Sequence, residues 1–177
     1  MSEEYKILFT GTMGAGKTTA ISAVSQTKVV STDVANLDSA SSKATTTVGM
    51  DYGEVRLDDG SVLRLYGTPG QERFRFMWEI LAQGALGLIL LVDNSRPAPL
   101  EDMQMYLDNF KPLVERGSVV IGVGRTDTHP EPGIEAYQDY LAERELMLPV
   151  LSVDVRVRED VLMLFDVLLS ILEVAEN

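Results

Sequence analysis

The chain alternates between short, continuous apolar runs and longer stretches in which apolar positions recur every three or four residues. Tyr5–Thr10 (YKILFT), Ala85–Val92 (ALGLILLV) and Val119–Val123 are runs of the length expected for strands buried on both faces. Val48–Leu57 and Ser61–Tyr66 alternate in residue type around Asp58-Asp59-Gly60, which predicts a hairpin. Pro149–Val153 reads as a last short strand. Helices are expected over Lys17–Ser25, Phe74–Gln83, Leu100–Glu115, Ile134–Glu145 and Glu159–Ala175. The third has Met103, Leu107, Phe110 and Val114 at helical spacing, with Pro112 placed to kink or shorten its end. The last gathers Val161, Leu164, Phe165, Leu168, Leu169 and Leu172 on one face. Val29–Thr47 is polar and lacks clear periodicity, and reads as a long irregular loop.

Strands alternating with helices predict an α/β fold. The expectation is a three-layer sandwich with a mainly parallel six-stranded sheet, one antiparallel edge hairpin and about five helices. With 177 residues, one domain spanning 1–177 is expected. Ligands of such sheets sit beyond the carboxyl ends of the strands.

Charge narrows the partners. There are 27 acidic against 15 basic residues, a net charge of −12, which disfavours nucleic acid and bare anionic membrane. The absence of cysteine excludes disulfides, thiolate metal sites and cysteine lipidation. The first residues show no signal-peptide pattern, Ser2 stands where myristoylation needs glycine, and the longest apolar run is too short to span a bilayer. A cytoplasmic protein with no direct membrane anchor is expected.

Gly11-Thr12-Met13-Gly14-Ala15-Gly16-Lys17-Thr18 fits the phosphate-loop pattern G-x-x-x-x-G-K-[ST], and it stands between a strand and a helix as that pattern requires. Glycines let backbone N–H groups line an anion nest, and the helix N-terminus adds partial positive charge. Gly11, Gly14, Ala15, Gly16 and Thr19 are therefore candidate nucleotide contacts. Lys17 is placed to reach the β- and γ-phosphates, and Thr18 to bind Mg²⁺. The sandwich is accordingly expected to be of the P-loop NTPase kind.

Two further segments supply a hydroxyl, a glycine N–H and a glutamine: Thr45-Thr46-Thr47-Val48-Gly49 and Gly67-Thr68-Pro69-Gly70-Gln71-Glu72-Arg73-Phe74. With the phosphate loop, they make the chain resemble the Ras-like small GTPases, over essentially its whole length. More narrowly, TTVGMDYG, LYGTPGQERF and FMWE are similar to bacterial MglA-like and conservon-type members, which are associated with roadblock-fold partners. The resemblance implies a guanine-nucleotide switch that binds GTP/GDP with Mg²⁺ and signals through loops 29–47 and 67–78. Thr47 would act on Mg²⁺ and the γ-phosphate, Gly70 would bond the γ-phosphate, and Gln71 would position water. Implied partners are a roadblock-type regulator, or another activating or exchange factor, and an effector.

The chain departs from that family in three places. Gly67 stands where an aspartate usually holds Mg²⁺ through water, leaving Asp51 and Asp93 as candidate substitutes. Met13 replaces a glycine facing Gln71, so slow intrinsic hydrolysis is expected. Gly124-Arg125-Thr126-Asp127 stands for Asn-Lys-x-Asp. Asp127 can accept two hydrogen bonds from guanine but meets a lone pair on adenine N1, and Arg125 can stack on a purine. Leu151-Ser152-Val153-Asp154 resembles the loop whose backbone N–H contacts the guanine oxygen; only Ser152 matches it well, and Val153 is the expected donor. Arg73 and Arg75 are candidate charge stabilisers. Among Phe74, Phe76, Met77 and Trp78, at least one is expected at the surface as a partner contact. Two other readings stay open: a nucleotide-dependent interaction module with negligible hydrolysis, and an ATP-using enzyme.

Overall fold

Along the first strand, Ile7 and Phe9 point to one face of the sheet and Leu8 to the other, and all three are buried. Such a strand needs cover on both faces, and the helices supply it. The computed structural model describes residues 3–34 and 48–177. In chain order the elements are β1 (Glu4–Gly11), α1 (Lys17–Val24), β2 (Val30–Val34), β3 (Val48–Arg56), β4 (Val62–Gly67), α2 (Arg75–Ala82), β5 (Ala85–Asp93), α3 (Pro99–Asn109), α4 (Lys111–Glu115), β6 (Val119–Gly124), α5 (Ile134–Ala142), β7 (Val150–Ser152) and α6 (Arg158–Glu176). A short 3₁₀ turn, Glu72–Phe74, leads into α2.

The sheet runs β2-β3-β4-β1-β5-β6-β7. β4, β1, β5, β6 and β7 are parallel, whereas β3 pairs antiparallel with both β4 and β2. One core packs Ile21 of α1 and Val161, Leu164 and Leu168 of α6 against Ile7, Phe9, Leu65 and Ile89. The other packs Trp78, Met103, Tyr106, Leu113 and Tyr137 from α2 to α5 against Leu8, Leu88, Leu90 and Ile121. The expected α/β sandwich is therefore present, with two differences in count.

Among the described residues the sheet has seven strands rather than six. Val30–Val34, read as the start of an irregular loop, pairs with Val48–Tyr52 as an edge strand. Its central Ser-Thr-Asp gives no apolar alternation, because an edge strand is held chiefly by its neighbour's backbone groups. The expected helix over Leu100–Glu115 is two helices joined at Phe110. Pro112 has no N–H to donate to Asp108, and its ring would clash with that carbonyl; the chain starts a new helix instead, with Leu113 N–H bonded to Phe110 O.

Candidate functional site

β1 delivers the chain to the end of the sheet, and the loop 11–16 turns back over it. At Gly11 the backbone lies at φ 149°, and an added Cβ would sit 2.3 Å from the Leu91 carbonyl oxygen of β5. Only glycine lets the loop leave the sheet at this point. Gly16 opens α1 at φ 103°, packed so closely on Val155 that a Cβ would approach its Cγ2 to 2.7 Å. Lys17 folds back across the loop and donates to Gly11 O at 2.7 Å and Thr12 O at 2.9 Å. Burial lowers its pKa to about 8, with the Asp51 carboxylate opposing the shift. An ammonium has three N–H donors, so one remains for an anion in the loop.

Beside it, Thr18 Oγ1 donates to Asp51 Oδ2, and Ser31 Oγ donates to Asp51 Oδ1 at 2.7 Å. Asp51 is buried and stands directly opposite Gly67 in the β3–β4 register. A Cβ built at Gly67 would lie 3.3 Å from both Asp51 Cβ and Asp51 Oδ2. The space that a side chain at 67 would fill thus holds a carboxylate from the neighbouring strand. Asp93 is engaged elsewhere: Arg125 pairs with it at 3.1 Å, and the Ser95 N–H and hydroxyl donate to it. Of the two acids singled out in the sequence, Asp51 is the one that meets Thr18. A hydroxyl and a carboxylate converging here are hard oxygen donors of the kind Mg²⁺ takes, so the residues fit that ion. Thr47 lies outside the described residues. Ser31 carried no sequence signal, since it sits in a segment with no apolar period.

Gly70 approaches the loop so closely that a Cβ would lie 2.6 Å from Met13 N and 3.0 Å from Lys17 Nζ. Trp78 Nε1 donates to Pro69 O at 2.8 Å and Tyr106 OH to Gly70 O at 3.4 Å, which hold the segment from behind. Gln71 Oε1 accepts from Arg73 Nε at 2.7 Å, and Gln71 Nε2 faces Met13 Sδ at 3.8 Å. Arg75 pairs with Glu72 at 3.5 Å.

At the other end, Arg125 sits at φ 62° and donates to Gly14 O at 2.9 Å, tying the 124–127 segment to the phosphate loop. The hydroxyls of Ser152 and Thr126 share a hydrogen bond. Val153 does not offer its N–H as expected: it donates to Val123 O at 2.9 Å, and its side chain is buried. The Asp154 N–H goes to Asp160 Oδ2 at 2.8 Å. Val155 N–H, two residues beyond the expected donor, has no partner among the described residues. The reason is register. Ser152 pairs with Val123, and the next residue completes that ladder before the chain turns toward the site. Arg156 clasps Asp154 through Nε at 2.9 Å and Nη2 at 2.8 Å, which pulls the Asp154 pKa down to about 2.

One cavity of about 940 Å³ joins these parts, running from Lys17 and Gly70 to Asp127 and Val155. Its volume lies in the range of small-molecule and cofactor sites. Thr18, Thr19, Asp51, Ser152 and Arg156 also face it.

Ras-related protein RabC from Dictyostelium discoideum is 25% identical over 181 residues, covering 98% of this chain and 87% of its own length. The chain is similar to Ras-related proteins. Others are Ras-related protein Rab11B from Nicotiana tabacum, 27% identical over 123 residues, and Ras-related protein RABA6b from Arabidopsis thaliana, 30% identical over 121. Each of these two matches covers 68% of this chain, and the chain spans only about half the length of those Ras-related relatives, 52% and 49%. A family model described as a conserved hypothetical ATP binding protein matches residues 41–114. That stretch, less than half the chain, includes neither the phosphate loop nor the 124–127 segment.

Proposed function

We propose that the protein is a guanine-nucleotide-binding switch that takes GTP or GDP with Mg²⁺ and hydrolyses GTP slowly to GDP and phosphate. The observation that carries this reading is a continuous cavity with the glycine-rich cradle and Lys17 at one end and Asp127 at the other. The similarity to Ras-related proteins supports it. Gly11, Gly14, Ala15, Gly16 and Thr19 line the polyphosphate, and Lys17 places its free N–H on the β- and γ-oxygens. Thr18 and Asp51 would hold Mg²⁺, with Thr47 as a further ligand; the ion, when bound, neutralises charge on the β- and γ-phosphates. Gly70 offers its N–H to the γ-phosphate, and Gln71 orients the water. That water adds to the γ-phosphorus as the bond to the β,γ-bridging oxygen breaks, giving GDP and phosphate. Asp127 accepts from the guanine ring, Arg125 lies along the purine, Ser152 braces the loop through Thr126, and the Val155 N–H is the donor for the guanine oxygen.

Signalling is assigned to segments 29–47 and 67–78. On α2, Phe76 (62% exposed) and Ile80 (60%) stand one turn apart and suit an apolar partner surface. A roadblock-type regulator or another activating or exchange factor fits that role, as does an effector, in keeping with the bacterial MglA-like resemblance. No helix among the described residues is long and apolar enough to cross a membrane. A second reading, a nucleotide-dependent interaction module with negligible hydrolysis, is favoured by the contacts that occupy Gln71.

Titrating nucleotide-free protein with fluorescent GDP and ADP, with and without Mg²⁺, tests the assignment. GDP is expected to bind more tightly by at least about tenfold, the price of leaving Asp127 unpaired against adenine. Equal affinity, or a preference for ADP, would remove the guanine reading and leave an adenine-nucleotide protein. For Asp51→Ala, the Mg²⁺ concentration that half-maximally slows GDP release should rise by about 10–100-fold, the usual effect of losing a residue that supports a metal. An unchanged Mg²⁺ titration would show that another group carries the ion.

A further inference from the structure

Both ends of the Gln71 carboxamide are occupied. Its Oε1 accepts from Arg73 Nε at 2.7 Å, and its Nε2 meets the Met13 sulfur at 3.8 Å. Arg73 is itself seated: its guanidinium lies over the Phe74 ring, 4.8 Å from the centroid, and Phe74 is buried. The turn between them is closed by Phe74 N–H on Gln71 O at 3.0 Å. No ion pair involves Arg73 among the described residues, whereas neighbouring Arg75 is paired with Glu72. A glutamine that orients water uses its carbonyl oxygen to accept from that water, and here that oxygen already accepts from Arg73.

We propose that Arg73 is a positioning residue that holds Gln71 in a resting orientation, with Met13 completing the clasp. This rests on the reading of Gln71 as the water-orienting group. Hydrolysis then includes a step in which Gln71 Oε1 exchanges Arg73 for the attacking water, and the strength of the Arg73 contact sets part of the slow rate. The chemistry is otherwise unchanged: water oxygen joins the γ-phosphorus, the bridging oxygen leaves with GDP, and the water proton passes to the released phosphate.

The test is single-turnover hydrolysis of GTP loaded on the full chain, with GDP affinity and thermal midpoint measured in parallel. Arg73→Ala is expected to hydrolyse about three- to tenfold faster than the unaltered protein, the factor that one ordinary hydrogen bond represents. Arg73→Lys, which keeps a donor, should stay near the unaltered rate. In a Gln71→Leu background, Arg73→Ala should give no acceleration, and GDP affinity should be the same throughout. A slower Arg73→Ala would make Arg73 a catalytic stabiliser of transition-state charge, and an unchanged rate would leave the contact without a role; either overturns the proposal. If Gln71→Leu alone hydrolyses as fast as the unaltered protein, the reading of Gln71 fails and the clasp with it. If Gln71→Leu is slow but Arg73→Ala accelerates nothing, the clasp alone fails.

Discussion

Trp78→Ala is expected to lower the unfolding free energy by about 3–5 kcal/mol, the range for truncating a buried Trp or Phe. Trp78 is fully buried, packs on Tyr106 at 4.9 Å between centroids and on Phe110 at 6.0 Å, and donates to Pro69 O. Its removal opens a cavity between α2 and α3 and strands a carbonyl one residue before Gly70. Urea unfolding followed by circular dichroism measures the loss. Trp78→Phe separates the parts, since it keeps a ring in the stack and deletes only the N–H donor and some volume. It should cost clearly less than the alanine variant, while freeing the Pro69–Gln71 segment to nearly the same degree. Nucleotide release should therefore respond to both substitutions more evenly than stability does. Equal stability losses would mean that the Pro69 hydrogen bond, and not packing, dominates.

The largest functional effect is expected at Lys17. Lys17→Ala should weaken GDP binding about 100-fold or more, equivalent to roughly 2.7 kcal/mol. It should leave the far-ultraviolet circular dichroism spectrum in place, because α1 is held by Ala20 and Ile21 in the core. The pH dependence gives a second handle. Burial brings the free-state pKa from 10.5 down to about 8, and bound phosphate favours the charged ammonium and raises it again. Only the protonated lysine attracts phosphate. Affinity is thus fully present below about pH 8 and is lost as pH rises, falling about tenfold between pH 7 and pH 9. Lys17→Ala should abolish that slope. A GDP affinity untouched by the substitution would mean that phosphate does not sit in the 11–18 loop.

Much of this was legible in the sequence, for identifiable physical reasons. Continuous apolar runs such as Ala85–Val92 can be buried only in a doubly covered sheet, and their order fixed the layers. The glycine-bearing turn from β1 into α1 was legible because the spacing of residues 11–18 is dictated by backbone geometry that few other sequences satisfy. What escaped depends on pairing. β2 carries no apolar alternation, so only its neighbour reveals it as a strand. That Asp51 rather than Asp93 meets Thr18 follows from a cross-strand register that no local window contains. The Val153 expectation missed that the β6–β7 ladder extends past Ser152 and uses that N–H first. Similarly, the exposure of Phe76 beside the burial of Trp78 depends on how α2 meets Tyr106 of α3, although a surface group among them was expected.

Asp51 and Gly67 constrain each other's history. Because a side chain at 67 would begin 3.3 Å from the Asp51 carboxylate, Gly67→Asp alone would crowd two like charges into one pocket beside Thr18. Asp51→Gly alone would leave the pocket with no acid from either strand. Each single exchange passes through an impaired intermediate, while the double exchange restores one carboxylate in the same space. The two positions therefore behave as one unit of inheritance: descendants of this chain should keep glycine at 67 for as long as they keep aspartate at 51, and a lineage that carries the acid on β4 should be found with a small or neutral residue on β3.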